Sequence, residues 1–557
     1  MTAQQSNSSS LYSSLSPSDF GLPAKFEQFR TAQAQALEWA VYECRKKFTA
    51  AALPTGEGKS LFGVALAKIL GVKAAYLTAT LNLEDQVGAD FRQSGLVDCR
   101  GRSNYICSQL WPGRRYKTSC EYGHQHECSL EHTDRCGHTA ANLAAEHSDV
   151  FVTNYSNWMH KRKYNKKAFE QDGRPIELLI CDEAGDVAEQ ISSFVSVEVL
   201  HADEELPISA VQAQHTYRTS GRNPSGVMSE VDSGMWVSWA RERQREAAKQ
   251  MARIADGYPS KQAAAKDDRY VYLADLIKIC ERIQTLDSNW VWEVDERGVK
   301  FQPIWPGQLA SALWSGVPRI VLMSATLRPY TLGLLGIPES QYDFREWPSS
   351  FLPQLAPFYY QPSGVSLSWR SKDKPEDYKR IISMADAWID ARPGRRVIVH
   401  SGSYERARMF KEISKHGKRR NTIYNESSKD AQGAALDFTH GPEDSILVGP
   451  SYTTGSNFPN RDCELQIILK TPFPDESSRV MKERCKNKDY RMHVTVDKIV
   501  QIKGRNVRNH KDRGETVVFD DRIKWAMGRG DWHGHAPKHF KCQLVNSIPP
   551  APPRVSK

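Results

Sequence analysis

The sequence predicts an α/β protein built on two parallel sheets, with two insertions in the first half, and three observations carry that prediction. A glycine-rich loop, Leu53-Pro54-Thr55-Gly56-Glu57-Gly58-Lys59-Ser60, stands between a short apolar stretch, Phe48 to Ala52, and a helical pattern, Leu61 to Leu70. A second apolar stretch, Ile176 to Cys181, ends in Asp182-Glu183-Ala184-Gly185, at the carboxyl edge where open parallel sheets put catalytic groups. The alternation of strand and helix patterns breaks off at about residue 188, resumes with Arg319 to Met323, and repeats in a second half with strands expected at Arg395 to Ser401, Ser445 to Gly449 and Leu465 to Lys470.

Length and composition set the bounds. A chain of 557 residues predicts three or four domains at about 150 residues each. No stretch approaches the roughly 20 apolar residues of a membrane span, and Met1 to Ser18 is polar and serine-rich, without the charged-then-apolar order of a signal peptide. A cytoplasmic chain with no membrane association is expected, in a bacterial cell or in the host cytoplasm if phage-encoded. The net charge of +9 suits a polyanionic partner without establishing one. Eleven cysteines in so large a chain argue against a disulfide framework and toward metal ligands or buried thiols.

Strand, loop and helix in that order are the context a phosphate-binding loop requires. Backbone N–H groups around Gly56 and Gly58 are expected to face phosphates, Lys59 to reach the terminal phosphates, and the Ser60 hydroxyl to take a magnesium position. Ahead of the loop, Phe26 to Leu37 begins a helix that sets Gln33 to read an adenine edge. Asp182 is expected to hold magnesium through its water shell, and Glu183 to polarise an attacking water. Near the far end, Gln501-Ile502-Lys503-Gly504-Arg505-Asn506-Val507-Arg508 places two arginines three apart on one helical face, and either can reach the phosphates from the second half. Thr78, Thr80 and Gln86 are candidates for contacts to a nucleic-acid backbone.

Cys107, Cys120, Cys128 and Cys136 fall within thirty residues, among His124, His126, His132 and His138. Four thiolates serve a tetrahedral zinc or an iron-sulfur cluster. The absence of a Cys-x2-4-Cys knuckle favours the cluster. Residues 188–310 read as a charged, helical subdomain, and its tryptophans, including Trp236, Trp239, Trp290, Trp292 and Trp305, are assigned to its core rather than to base stacking.

The loop Leu53 to Ser60, Asp182-Glu183-Ala184-Gly185, Ser324-Ala325-Thr326, Gly449 to Phe458 and Gln501 to Arg508, in that order, resemble the motifs of superfamily 2 helicases. More narrowly, Gly101-Arg102-Ser103-Asn104-Tyr105-Ile106-Cys107, Thr471-Pro472-Phe473-Pro474 and Asp520-Asp521-Arg522 resemble the XPD/DinG group over about residues 25 to 525. The resemblance implies two RecA-like motor domains and a DNA helicase that moves 5′ to 3′ on single-stranded DNA, using ATP and Mg2+. Cys107, Cys120, Cys128 and Cys136 would hold a 4Fe-4S cluster, with zinc as the alternative. It implies catalytic roles for Lys59, Asp182, Glu183, Arg505 and Arg508, and nucleotide contacts from Gln33, Thr55, Gly56, Gly58, Ser60 and Gln501. The expected organisation is a disordered start at 1–24; motor domain 1 at 25–98, 137–187 and 311–345; a cluster domain at 99–136; an arch-like insertion at 188–310; motor domain 2 at 346–540; and a flexible tail at 541–557. Single-stranded and tailed or forked duplex DNA are the expected partners of a monomer. Three departures stand out, one of them the shortness of the arch-like segment 188–310. Gly185 replaces the histidine that often ends the Asp-Glu-Ala-His box, and Asn457 stands where aspartate is common. They keep two other readings open, a translocase that remodels nucleoprotein without strand separation and a zinc-stabilised nucleic-acid scaffold.

Overall fold

The computed structural model describes residues 10–109, 118–125, 128–170, 173–200, 225–228, 230–260, 264, 267–295, 297–368, 374–427, 430–450, 458, 462–507 and 512–545. Two seven-stranded sheets, each parallel throughout, form its two halves. The first runs in the order Tyr342–Glu346, Phe48–Ala52, Arg319–Ser324, Leu178–Asp182, Ala74–Thr78, Val150–Asn154, Val97–Asp98. Its central strands are apolar on both faces because helices cover both sides, the pattern parallel sheets require. Phe48–Ala52 and Leu178–Asp182 are buried along their whole length.

Register decides what meets at the edge. Ala52 lies opposite Ser324, and Met323 opposite Asp182, so the glycine-rich loop, the Ser324 segment and Asp182-Glu183 all leave the sheet at one end. The helix Lys59–Leu70 follows the loop and sits hard on the sheet. At Gly63 a Cβ would come within 3.0 Å of the Ile180 and Tyr76 side chains, so only glycine allows that approach.

The second sheet runs Thr422–Tyr424, Ile446–Gly449, Val397–His400, Leu465–Ile468, Glu515–Val518, Phe358–Tyr360, Leu544–Val545. The strands expected at Arg395 to Ser401, Ser445 to Gly449 and Leu465 to Lys470 form here, trimmed at their ends. Helix Lys488–Lys503 delivers Gln501, Gly504 and Arg505 toward the first half.

The insertion departs from the helical reading. Helices Glu230–Asp256 and Asp268–Ile283 pack together, but they lie with a four-stranded antiparallel sheet, Val197–Leu200, Gly298–Pro303, Trp290–Val294 and Ser225–Val227. The strands are only three to six residues long, and tryptophan-rich runs such as Trp290-Val291-Trp292 hide the period-two alternation. Trp236 is fully buried, with ring centroids 5.9, 5.7 and 5.0 Å from Trp239, Trp292 and Phe301. These edge-on contacts are those of a core.

The insertion is bound to the second half through Arg484. Its guanidinium is buried and donates to the carbonyls of Ile304 (2.5 Å) and Pro303 (3.1 Å) and to Ser192 Oγ (3.1 Å), with Glu189 as its ion pair. Val480 packs beside it on Val291 and Ile304.

Candidate functional site

A cleft opens between the two halves at the carboxyl edge of the first sheet. Thr55, Glu183, Asp186, Ser324 and Thr326 line it from the first half, and Gln501, Gly504 and Arg505 from the second. The halves touch at Gly504, where a Cβ would lie 2.9 Å from Thr55 Oγ1. Glycine there lets the second half close on the loop.

The loop is held open by its backbone and its neighbours. Gly56 and Gly58 have φ of 85° and 75°, the left-handed region that glycine enters without strain. Gln33 is buried and accepts from the Arg30 amide (2.8 Å) while donating to the Gly58 carbonyl (3.0 Å). Arg30 donates to the Gly56 carbonyl. Two loop carbonyls are thus held from behind, and within the loop the Glu57 amide donates to the Pro54 carbonyl at 3.2 Å. Glu57 is buried and accepts from the Ser350 amide (2.6 Å) and hydroxyl (2.9 Å), anchoring the loop from the linker between the halves. A second cavity beside the loop is lined by Phe26, Arg30, Gln33, Gly58, Ser60 and Phe351.

Lys59 Nζ lies 3.6 Å from Glu183 Oε1. Glu183 itself takes a left-handed backbone, φ 48°, which turns the chain at the strand end, and its Oε2 accepts from Ser324 Oγ at 3.4 Å. Asp182 is buried, accepting from the Tyr76 hydroxyl (2.8 Å) and the Glu183 amide (2.9 Å). Burial, then the Glu183 charge, push its carboxyl up to about 6, while Lys59 opposes them. Tyr76 also takes a hydrogen bond from Ser60, so one hydroxyl bridges the two candidate magnesium ligands. A buried carboxylate with so little positive charge around it is a donor suited to a cation.

Arg505 is partly buried, its guanidinium held below the usual range by desolvation, with Glu183 and Asp186 as opposing charges. Gln501 donates to Asp497 Oδ2 at 2.8 Å. Burial, with Asp497 and Glu183 nearby, raises Asp186 to about 7. The cleft thus brings together Thr55, Glu183, Gln501 and Arg505, with Lys59 beside Glu183. Arg508 and Asn457 lie outside the described residues. Thr80 caps the helix Leu81–Phe91, Thr78 donates to the Thr80 carbonyl at 3.2 Å, and Gln86 is exposed at both cavities.

Several contributors escaped the reading of the sequence. Tyr76 is an interior strand residue with no local mark, Arg30 and Phe351 sit far from the motifs they serve, and Asp497 was passed over one helical turn before Gln501. Only that last spacing, four residues on one helix face, was a usable signal.

The four cysteines form two pairs. Cys107 and Cys128 sulfurs are 3.7 Å apart, and those of Cys120 and Cys136 3.9 Å. Gly123 sits against the first pair, where a Cβ would come within 2.8 Å of Cys107 Sγ. Among the described residues the pairs do not converge into a group of three or more metal ligands. Burial raises the Cys120 thiol to about 11, whereas backbone and hydroxyl donors at Thr139 help to hold the Cys136 thiol below its usual value. Four thiols as the donor set fit a thiolate-bound metal or cluster in kind.

Among known proteins, residues 387–536 match the helicase C-terminal domain family. The Xpd4 structure of S. tokodaii aligns with 93% of this chain and 100% of its own at 15% identity and a TM-score of 0.56. An XPD helicase structure aligns over the same shares at 14% identity and 0.57, and an XPD apo structure at 13% and 0.53. No curated protein matches the chain. The fold is that of the XPD helicases, and the second half carries a helicase C-terminal domain. No helix among the described residues is long and apolar enough to cross a membrane.

Proposed function

We propose that this chain is an ATP-dependent DNA helicase that moves 5′ to 3′ on single-stranded DNA. The observation that carries the reading is the cleft in which Thr55 and Glu183 of one half meet Gln501 and Arg505 of the other. A nucleotide bound there contacts both halves at once, so its binding closes the cleft and its hydrolysis releases it.

The loop amides and Lys59 hold the phosphates, and the cavity at Phe26, Gln33 and Phe351 accommodates the base. Glu183, released when Lys59 turns to the phosphates, orients the attacking water and takes its proton. Arg505 meets the charge that develops on the transferred phosphoryl group, and Arg508 is assigned to the same task from the sequence alone. Ser60 and Asp182 would hold magnesium, which neutralises phosphate charge when bound. Opening and closing shift the grip of the two halves on a strand whose affinity comes mainly from backbone contacts, so binding falls steeply with salt and shows little sequence preference. The expected domain limits serve this scheme: motor domains at 25–345 and 346–540, interrupted by a cluster domain at 99–136 and an arch at 188–310.

Cys107, Cys120, Cys128 and Cys136 would hold a 4Fe-4S cluster, which would crosslink the short elements that carry them. Zinc, which also takes four thiolates, is the second reading, and two of the six sulfur separations suit it. Four thiolates at about 2.3 Å from a zinc ion stand about 3.8 Å apart along each tetrahedral edge. Metal analysis of anaerobically purified protein decides: about four irons per chain supports the cluster, and one zinc the alternative. ATP turnover stimulated by single-stranded DNA tests the function itself, and its absence in metal-replete protein removes it.

A further inference from the structure

Gly185 ends the Asp-Glu-Ala-Gly segment where the resemblance leads one to expect a histidine, and the structure shows what fills that space. A Cβ at Gly185 would lie 3.2 Å from Thr326 Oγ1, 3.8 Å from Ser324 Oγ and 4.0 Å from Asp497 Oδ1. Thr326 belongs to the first half, and its hydroxyl faces the same space as the carboxylate of Asp497, which comes from helix Lys488–Lys503 of the second. On its other side the Asp497 carboxylate takes the Gln501 amide at 2.8 Å. Toward the first sheet, the Thr326 amide donates to Ser324 Oγ at 3.3 Å, and the Ser324 hydroxyl donates to Glu183 Oε2 at 3.4 Å.

These groups form one polar chain, Glu183, Ser324, Thr326, Asp497, Gln501, which crosses the cleft once, between Thr326 and Asp497. We propose that Asp497 is a positioning residue that links the Glu183 carboxylate to the second half, standing where a side chain at position 185 would otherwise make that link. Glycine at 185 leaves clear the space that Thr326 Oγ1 and Asp497 Oδ1 border. Any larger residue at 185 presses on Thr326, whose hydroxyl lies within tight contact of the new Cβ. The inference deepens the nucleotide-site reading given above and rests on it for its functional consequence, but the link itself is a matter of structure.

The test therefore has two arms. Thermal unfolding of Thr326→Val, Asp497→Ala and the double variant measures the link without any turnover. Melting shifts that fall short of additivity in the double variant support it, and additive shifts overturn it whether or not the protein hydrolyses ATP. In the second arm, Asp497→Ala is expected to lower DNA-stimulated kcat by about tenfold while the affinity for a fluorescent Mg-nucleotide stays within about twofold. Adding Gly185→His to Asp497→Ala is expected to restore part of the stimulation that either change alone removes, which a purely structural role would not do. Unchanged stimulation in Asp497→Ala, or a double variant worse than both singles, contradicts the proposal. Wild-type protein without ATPase would sink the nucleotide-site reading, leaving the melting cycle to decide the link.

Discussion

Lys59 Nζ stands 3.6 Å from Glu183 Oε1, across the gap between the phosphate loop and the end of the neighbouring strand array. The two charges form an ion pair. Binding of phosphates takes Lys59 away and leaves Glu183 to water. Lys59→Ala and Glu183→Gln are therefore each expected to cut steady-state ATP turnover by at least about a hundredfold while DNA binding is kept. Filter binding of labelled oligonucleotide alongside a phosphate-release assay checks both halves of this statement, and turnover within about tenfold of the wild type in either variant contradicts the site.

The acid limb of nucleotide binding is set by Asp182. Its folded-state value of about 6 means that the carboxylate needed for magnesium is protonated below that pH, so binding of Mg-nucleotide weakens as pH falls through about 6. The same shift costs stability above the unfolded carboxylate value, because the folded protein then holds a proton the unfolded chain has lost. Glu183→Gln removes a like charge beside Asp182, so in that variant the limb moves to lower pH. A titration of fluorescent Mg-nucleotide binding from pH 5 to 8 reads the displacement, and an upward move contradicts the electrostatics.

Gly504 packs against Thr55 with no room for a methyl group. Gly504→Ala is expected to hold the halves apart by a few tenths of an ångström, lowering turnover several-fold with little change in melting temperature, since a small overpacking at an interface is relieved by displacement rather than unfolding. Restoration of turnover by Thr55→Ser, which removes only a methyl group, is not expected, because the crowding atom is the hydroxyl.

Arg484 is buried with hydrogen bonds to Ile304, Pro303 and Ser192. Arg484→Ala leaves these acceptors without their donor and is expected to destabilise the protein by about 2–4 kcal/mol. Differential scanning calorimetry should show it as a lowered or split transition, because the insertion then loosens from the second half. An unchanged profile would mean the insertion is held by other contacts.

Much of this was legible in the chain, for reasons that differ from place to place. The Phe48 to Leu70 segment encodes strand, loop and helix with its own residues, and the strands at Val397–His400, Ile446–Gly449 and Leu465–Ile468 announce themselves as apolar runs buried on both faces. The sheet in the insertion did not, because its strands are short and its tryptophans serve the core from both strand and helix. The site was legible where a motif is contiguous, at Lys59 and at Asp182-Glu183. It was not legible where function depends on distant meetings: Tyr76 bridging Ser60 to Asp182, Arg30 and Gln33 holding loop carbonyls, and Asp497 crossing the cleft to Thr326. Gln33 shows the difference most clearly, since its amide is bound to Gly58 and Arg30, a relation that no spacing in the sequence announces.

The most direct test is ATP-dependent strand separation by anaerobically purified protein on matched duplexes carrying a 5′ or a 3′ single-stranded tail. Separation of the 5′-tailed duplex alone, lost in Glu183→Gln, is the predicted result. Separation of only the 3′-tailed duplex would contradict the polarity, and DNA-stimulated ATPase with no separation of either would contradict the helicase reading in favour of a translocase that remodels nucleoprotein.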